Sequence, residues 1–99
     1  MAVDNMIQKV FGSKSHVKVL MFLYKLSRVR SETSMKELER RTGISRVTLV
    51  KVVSDLIKTK IVAIRGATKG QVIRIVDTPQ KKVVWGFIKD FERSFYMHR

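Results

Sequence analysis

The sequence predicts an α+β fold, mostly helical: a helix-turn-helix unit, then a two-stranded hairpin, with an extra helix at each end. Three observations predict it. Apolar residues recur at helical spacing over much of the chain. Gly43 separates two such segments just after a helix-capping pattern, which is the spacing of a helix-turn-helix. Two short β-branched runs then flank a five-residue stretch holding two glycines. Ninety-nine residues with 44% hydrophobic and 29% charged side chains make one domain. Its parts are a helix over 4–12, a core over 13–78 and a last helix over 79–97.

Each element has its own signal. Asp4 is placed to cap a first helix, with Met6, Ile7, Val10 and Phe11 inward, and Gly12 ends it. Ser13 or Ser15 caps the second, whose face carries Val17, Leu20, Leu23 and Tyr24 with Val19, Phe22 and Leu26 beside them. That helix is apolar around most of its girth and reads as the central core helix. Residues 27–33 are a polar connector with room for one short strand pair. Ser34-Met35-Lys36-Glu37 fits the capping box, in which the hydroxyl and the carboxylate each satisfy the other residue's backbone N–H. Met35 and Leu38 face inward in that short helix, and Gly43 is expected at positive φ. Ser45 is expected to cap the next helix, with Leu49, Val53, Leu56 and Ile57 inward. Residues 61–65 and 71–76 form the hairpin. Thr78 then caps the last helix, with Pro79 in its first turn.

The charge is one-sided. Lys and Arg number 21 against 8 Asp and Glu, a net charge of +13. Residues 45–74 alone carry seven basic side chains and a single acid, Asp55. Such a surface repels itself and is relieved by a polyanion, of which nucleic acid is the commonest. There is no Cys, which excludes disulfides, thiol catalysis and Cys-ligated zinc. No apolar run approaches the roughly 20 residues that span a bilayer, and polar residues interrupt the N-terminus where a secretory leader would be apolar. The expectation is a cytoplasmic, nucleoid-associated protein without a membrane partner. His16 lies at a helix start with no acid near it in sequence, and His98 is penultimate. No Walker motif, HExxH or spaced carboxylate pair is present. The expectation is therefore no catalysis, no metal, no cofactor and no obligatory small-molecule ligand.

The pattern Gly43, Ile44, Ser45, Thr48, Leu49, Val53, Leu56 and Ile61-Val62 resembles the winged helix-turn-helix of small transcriptional regulators of the MarR and ArsR types. Residues 11–20 are similar to the start of that family's first core helix, so the likeness covers roughly 11–78. The resemblance implies that the 45–58 helix enters the major groove of duplex DNA and that the 66–70 wing touches the backbone or a minor groove. One departure is visible. The family often has Gly before the wing, whereas this chain has Thr59-Lys60, so either Lys60 takes positive φ or the helix ends differently and the wing is set at another angle.

A helical wheel points the same way independently. It sets Val47, Lys51, Ser54 and Lys58 opposite the core face, with Arg46 and Thr48 in the first turn. The candidate groove residues are Ser45, Arg46, Val47, Thr48, Val50, Lys51, Ser54 and Lys58. Arg46 has two readings, a fork onto a guanine edge or a phosphate contact, and the sequence does not choose. Val47 and Val50 have no packing duty on that side; they are chance surface residues or contacts for thymine methyl groups. In the wing, Arg65, Thr68, Lys69 and Arg74 suit phosphate contact. On the last helix Val84, Phe87, Ile88, Phe91 and Phe95 form an apolar stripe, with Trp85 and Tyr96 outside it. These seven are the candidate homodimer contacts, as pairing through terminal helices in the resembled family also implies. Two other readings stay open: an architectural protein that coats DNA without sequence choice, and a winged-helix protein-interaction module.

Overall fold

The computed structural model describes residues 9–66 and 71–97, the last three in backbone only. Residues 9–11 are helical and Gly12 breaks away, so the end of the expected 4–12 helix is observed and its start lies outside the described residues. Helix α1 (Lys14–Leu26) follows, then strand β1 (Glu32–Thr33), helices α2 (Met35–Thr42) and α3 (Arg46–Lys58), strands β2 (Val62–Arg65) and β3 (Val72–Ile75), and helix α4 (Pro79–Met97).

The three strands form one antiparallel sheet in the order β1-β3-β2. The expected hairpin is β2 and β3, with Val62 opposite Ile75 and Arg65 opposite Val72. The connector supplies a third strand, pairing Thr33 with Ile73. Strand alternation turns Val62, Ile73, Ile75 and Thr33 toward the helices, where all four are buried. Glu32, Ala63, Arg65 and Arg74 lie on the other face.

The core is built where α1, α2, α3 and the sheet meet. Val19, Leu20, Leu23, Leu38, Leu49, Val52, Val53, Leu56, Ile61, Val62 and Ile73 are all at most 2% exposed. Two expectations change. Val17 is not inward but 42% exposed, and the buried polar side chain of α1 is His16. In α3 the buried set is Leu49, Val52, Val53 and Leu56, whereas Ile57 is 37% exposed. Relative to the expected face, the buried arc is turned by roughly 40° about the helix axis, toward Val52.

The helix ends show how local chemistry sets the path. Ser13 caps α1, accepting the His16 N–H at 3.2 Å. Thr78 caps α4, accepting the Lys81 N–H at 3.1 Å, with Pro79 first in the helix as expected. Ser34 accepts the Glu37 N–H at 3.1 Å, but the reciprocal half of the capping box is not made. The Glu37 carboxylate instead accepts from the Thr33 hydroxyl and the Arg30 guanidinium, each at 2.5 Å. A charged donor and a hydroxyl hold a carboxylate more strongly than one backbone amide. The Thr33 hydroxyl, helped by Arg30, keeps the Glu37 carboxyl below the ordinary carboxylate range against the opposing effect of burial. Its contribution to stability is therefore present above the unfolded-state value and lost as pH falls through the folded one. Glu37→Gln is expected to lower the melting midpoint at pH 7, and thermal scans should show the gap from wild type closing below about pH 4.5.

Gly43 takes φ 74° at the end of α2, as its position requires. The end of α3 is built the same way without glycine. Lys60 N–H donates to Ile57 C=O at 3.0 Å and Ile61 N–H to Leu56 C=O at 2.9 Å, the two bonds of a Schellman motif. Its left-handed residue is Lys60, at φ 63°. The departure noted in the sequence thus leaves the geometry intact at the cost of strain in a side-chain-bearing residue. The motif holds because Leu56 and Ile61, which bracket it, are fully buried, and because the Thr78 hydroxyl donates to Lys60 C=O at 2.5 Å. Lys60→Gly is expected to raise stability by about 0.5–1 kcal/mol and Lys60→Val to lower it by a similar amount or more, read from thermal or urea unfolding.

Candidate nucleic-acid interface

Helix α3 rests on Leu49, Val52, Val53 and Leu56 and turns its opposite face outward. Val47, Val50, Lys51, Ser54 and Lys58 share that face at spacings of three, four, seven and eleven from Val47. Val47 is 84% and Val50 53% exposed; Lys51 and Lys58 are exposed, and Ser54 is half-buried. The structure thus brings five of the eight sequence-selected residues onto one surface, with two valines projecting among two lysines and a hydroxyl.

The first turn differs from expectation in one respect. Ser45 stands at the N-cap of α3 but makes no side-chain cap bond; its hydroxyl donates to Thr48 Oγ1 at 3.2 Å. Arg46 is held by Glu39 of α2, through Nε to Oε1. That ion pair crosses the turn of the helix-turn-helix. It fixes the base of the guanidinium while leaving its two terminal amino groups to fork onto another acceptor. The sequence reading missed Glu39, although a separation of seven residues across a tight turn is a detectable signal.

In the wing, Arg65 and Arg74 lie on the outer sheet face. Arg65 pairs with Glu32 Oε2 at 2.7 Å, while Arg74 makes no ion pair among the described residues. Thr68 and Lys69 lie outside the described residues.

His16 corrects the sequence reading most sharply, because an acid does stand beside it. Asp55 of α3 comes within 2.8 Å, its Oδ2 accepting from His16 Nε2. Nδ1 is hydrogen-bonded to the Ser13 hydroxyl at 2.7 Å. The imidazole is only 6% exposed, and its bonds tie the start of α1 to the side of the outward helix. Residues 39 apart carry no sequence signal for this contact. The serine hydroxyl is already engaged as a helix cap, so the chain of three groups acts as a clamp that sets where α3 sits.

The last helix divides its apolar residues between two faces. Ile88 is buried, and Val84 and Trp85 pack on the core of their own chain. Trp85, expected outside the stripe, donates from Nε1 to Ser27 Oγ at 3.0 Å and sits edge-on to Tyr24. Phe87 and Phe91 turn the other way, 57% and 65% exposed, their rings parallel with centroids 6.1 Å apart. With Phe11, Val17 and Met21 they line an apolar groove between α1 and α4. The side chains of Phe95 and Tyr96 lie outside the described residues.

No protein-family model matches the sequence. No curated protein matches it either. Solved structures do match its backbone. One is the transcriptional repressor BigR from Xylella fastidiosa, at TM-score 0.67 and 25% identity over 94% of this chain and 86% of that one. The chain has the winged-helix fold. The wing is β2 and β3, and α2 and α3 are the helix-turn-helix. A second match is AF1382 from Archaeoglobus fulgidus, at TM-score 0.68 and 18% identity over 90% of this chain and 94% of that one. A third is Bordetella bronchiseptica BpsR, whose DNA binding is regulated by 6-hydroxynicotinic acid, at TM-score 0.64 and 17% identity over 97% and 69%. The two neighbours with a stated role, a transcriptional repressor and a protein whose DNA binding is regulated, are regulators rather than enzymes. No described helix of the winged helix is long and apolar enough to cross a membrane.

Proposed function

We propose that this protein is a cytoplasmic transcriptional regulator that binds double-stranded DNA in a sequence-specific manner as a homodimer. Helix α3 enters the major groove, and the 66–70 wing tip lies on the backbone or in a minor groove. One observation carries the reading: the outward face of α3 combines exposed Val47 and Val50 with Lys51 and Lys58 on a rigid apolar underside. Lysines serve the phosphates, and exposed methyl groups suit thymine. The repressor role of the Xylella neighbour, similar over most of both chains, supports the same reading.

Dimerisation is supported by Phe87 and Phe91, two stacked rings that the described residues leave more than half exposed. Two copies joined there set two α3 helices about one DNA turn, roughly 34 Å, apart and favour an inverted repeat. Sedimentation of the free protein should then give twice the 11.5 kDa chain mass.

The decisive experiment is selection of bound sequences from a random duplex pool at two salt concentrations. Enrichment of an inverted repeat is the expected result. Binding without any enrichment would replace this reading by DNA coating, which the charge of +13 also suits. Failure to bind at physiological salt would point to a protein partner. Within an enriched site, Val47→Ser is expected to cost about 1 kcal/mol, roughly fivefold, at thymine positions only. Competition between the site and its thymine-to-uracil version, which lacks the methyl group, reads this directly.

A further inference from the structure

The outward face of α3 is bounded on one flank by a cleft of about 690 Å³. One wall carries Lys9, Ser15 and His16, from the segment before α1 and its first turn. The other carries Thr48, Lys51 and Asp55, from α3. Because Val47 and Lys51 belong to both the cleft and the exposed face, the cleft opens on the side that faces DNA in the function proposed above, and the inference rests on that reading.

Dimensions and charge say what the cleft suits. A helix with its side chains is 10–12 Å across and the major groove about 12 Å wide, so a helix seated there has a sugar-phosphate strand along each flank. On this flank the chain offers two cations from two different elements and two hydroxyl donors. The one acid in the cleft, Asp55, is turned to His16 at 2.8 Å and its side chain is 17% exposed. Lys9 and Lys51 make no ion pair among the described residues, so their charge remains available to an anion. We infer that the cleft between Lys9 and Lys51 seats a phosphodiester of the DNA strand beside α3, making the segment before α1 a third DNA contact besides the recognition helix and the wing. The His16–Asp55 bond keeps the two walls in register and the carboxylate away from the phosphate.

The test is binding of a 30-base-pair duplex by fluorescence anisotropy at four salt concentrations. The proteins are wild type, Lys9→Ala, Lys9→Arg, and Lys25→Ala at the far end of α1. Losing one phosphate contact lowers the slope of log K against log salt by about 0.9 and weakens binding about tenfold at 0.1 M salt. Lys9→Ala should show that loss equally on selected and scrambled duplexes, Lys9→Arg should retain the wild-type slope, and Lys25→Ala should match wild type. Unchanged melting midpoints separate the effect from folding. If wild type binds but Lys9→Ala keeps its slope, or loses no more than Lys25→Ala, the cleft is not a phosphate seat while the DNA-binding reading stands. If wild type binds no duplex, both fall.

Discussion

Leu56→Ala is expected to destabilise the domain by about 3–4 kcal/mol, while Ile57→Ala next to it costs less than about 1 kcal/mol. Leu56 is fully buried at the junction of α3 with the wing, and truncating such a leucine removes its transfer energy and leaves a cavity. Its carbonyl also accepts from Ile61 N–H, so the side chain and the Schellman motif support one another. A 99-residue domain has a total stability of about 5–15 kcal/mol. The loss therefore lowers the melting midpoint by roughly 15–25 °C at the usual scaling for this size. Ile57 is 37% exposed, so its truncation removes contacts on one side only. Urea unfolding of the two variants checks both values. Equal losses would mean that the buried arc of α3 is centred where the sequence pattern alone puts it.

Lys51→Glu is expected to weaken duplex binding about a hundredfold at 0.1 M salt and to reduce the salt slope by about two. Lys51 is exposed, belongs to the valine-bearing face, and also lines the cleft toward α1. Losing a phosphate contact accounts for about one power of ten at this salt, and placing a negative charge there accounts for about another. Because the residue carries no core contact, the melting midpoint of the free protein should stay within a degree or two. Titration by anisotropy with the selected site gives the number, and Lys25→Glu serves as the control for net charge alone. A loss no larger than the control's would place the DNA surface away from α3.

What the sequence made legible follows from how local each cause is. Ser34, Gly43 and Thr78 act within three or four residues and stand at the helix ends expected of them, and of the two serines offered for the start of α1 it is Ser13 that caps. Thr59-Lys60 stands out as a departure for the same reason, but the sequence leaves two outcomes there, positive φ at Lys60 or a different helix end, and the burial of Leu56 and Ile61 selects the first. The winged-helix order was carried by the change from helical to alternating period after residue 60. The remainder depends on contacts far apart in sequence. His16 and Asp55 meet only because α1 and α3 pack side by side. Val52 replaces Ile57 in the core because both border the apolar arc and the neighbouring layers decide how far it turns. The Glu37 carboxylate leaves the capping box because the connector folds Thr33 and Arg30 over it. On α4 the helical wheel sets Trp85 apart from the stripe that holds Val84, Phe87, Ile88 and Phe91 but does not say which side packs at home; the positions of Ser27 and Tyr24 show that Trp85 faces the core of its own chain while Phe87 faces away.

The sheet order has a mechanical consequence. β3 lies between β1 and β2, and Ile75 N–H reaches across to Ser31 C=O at 2.8 Å. The root of the flap is thus stitched on both edges, one of them to the stretch of chain that feeds directly into α2. Tilting the flap drags the entry to the helical pair with it, so in the proposed DNA-binding role the two would shift on a duplex as one stiff jaw. Amide protons of Ile73 and Ile75 should accordingly be among the last to exchange with deuterated solvent, in step with those of the central helices.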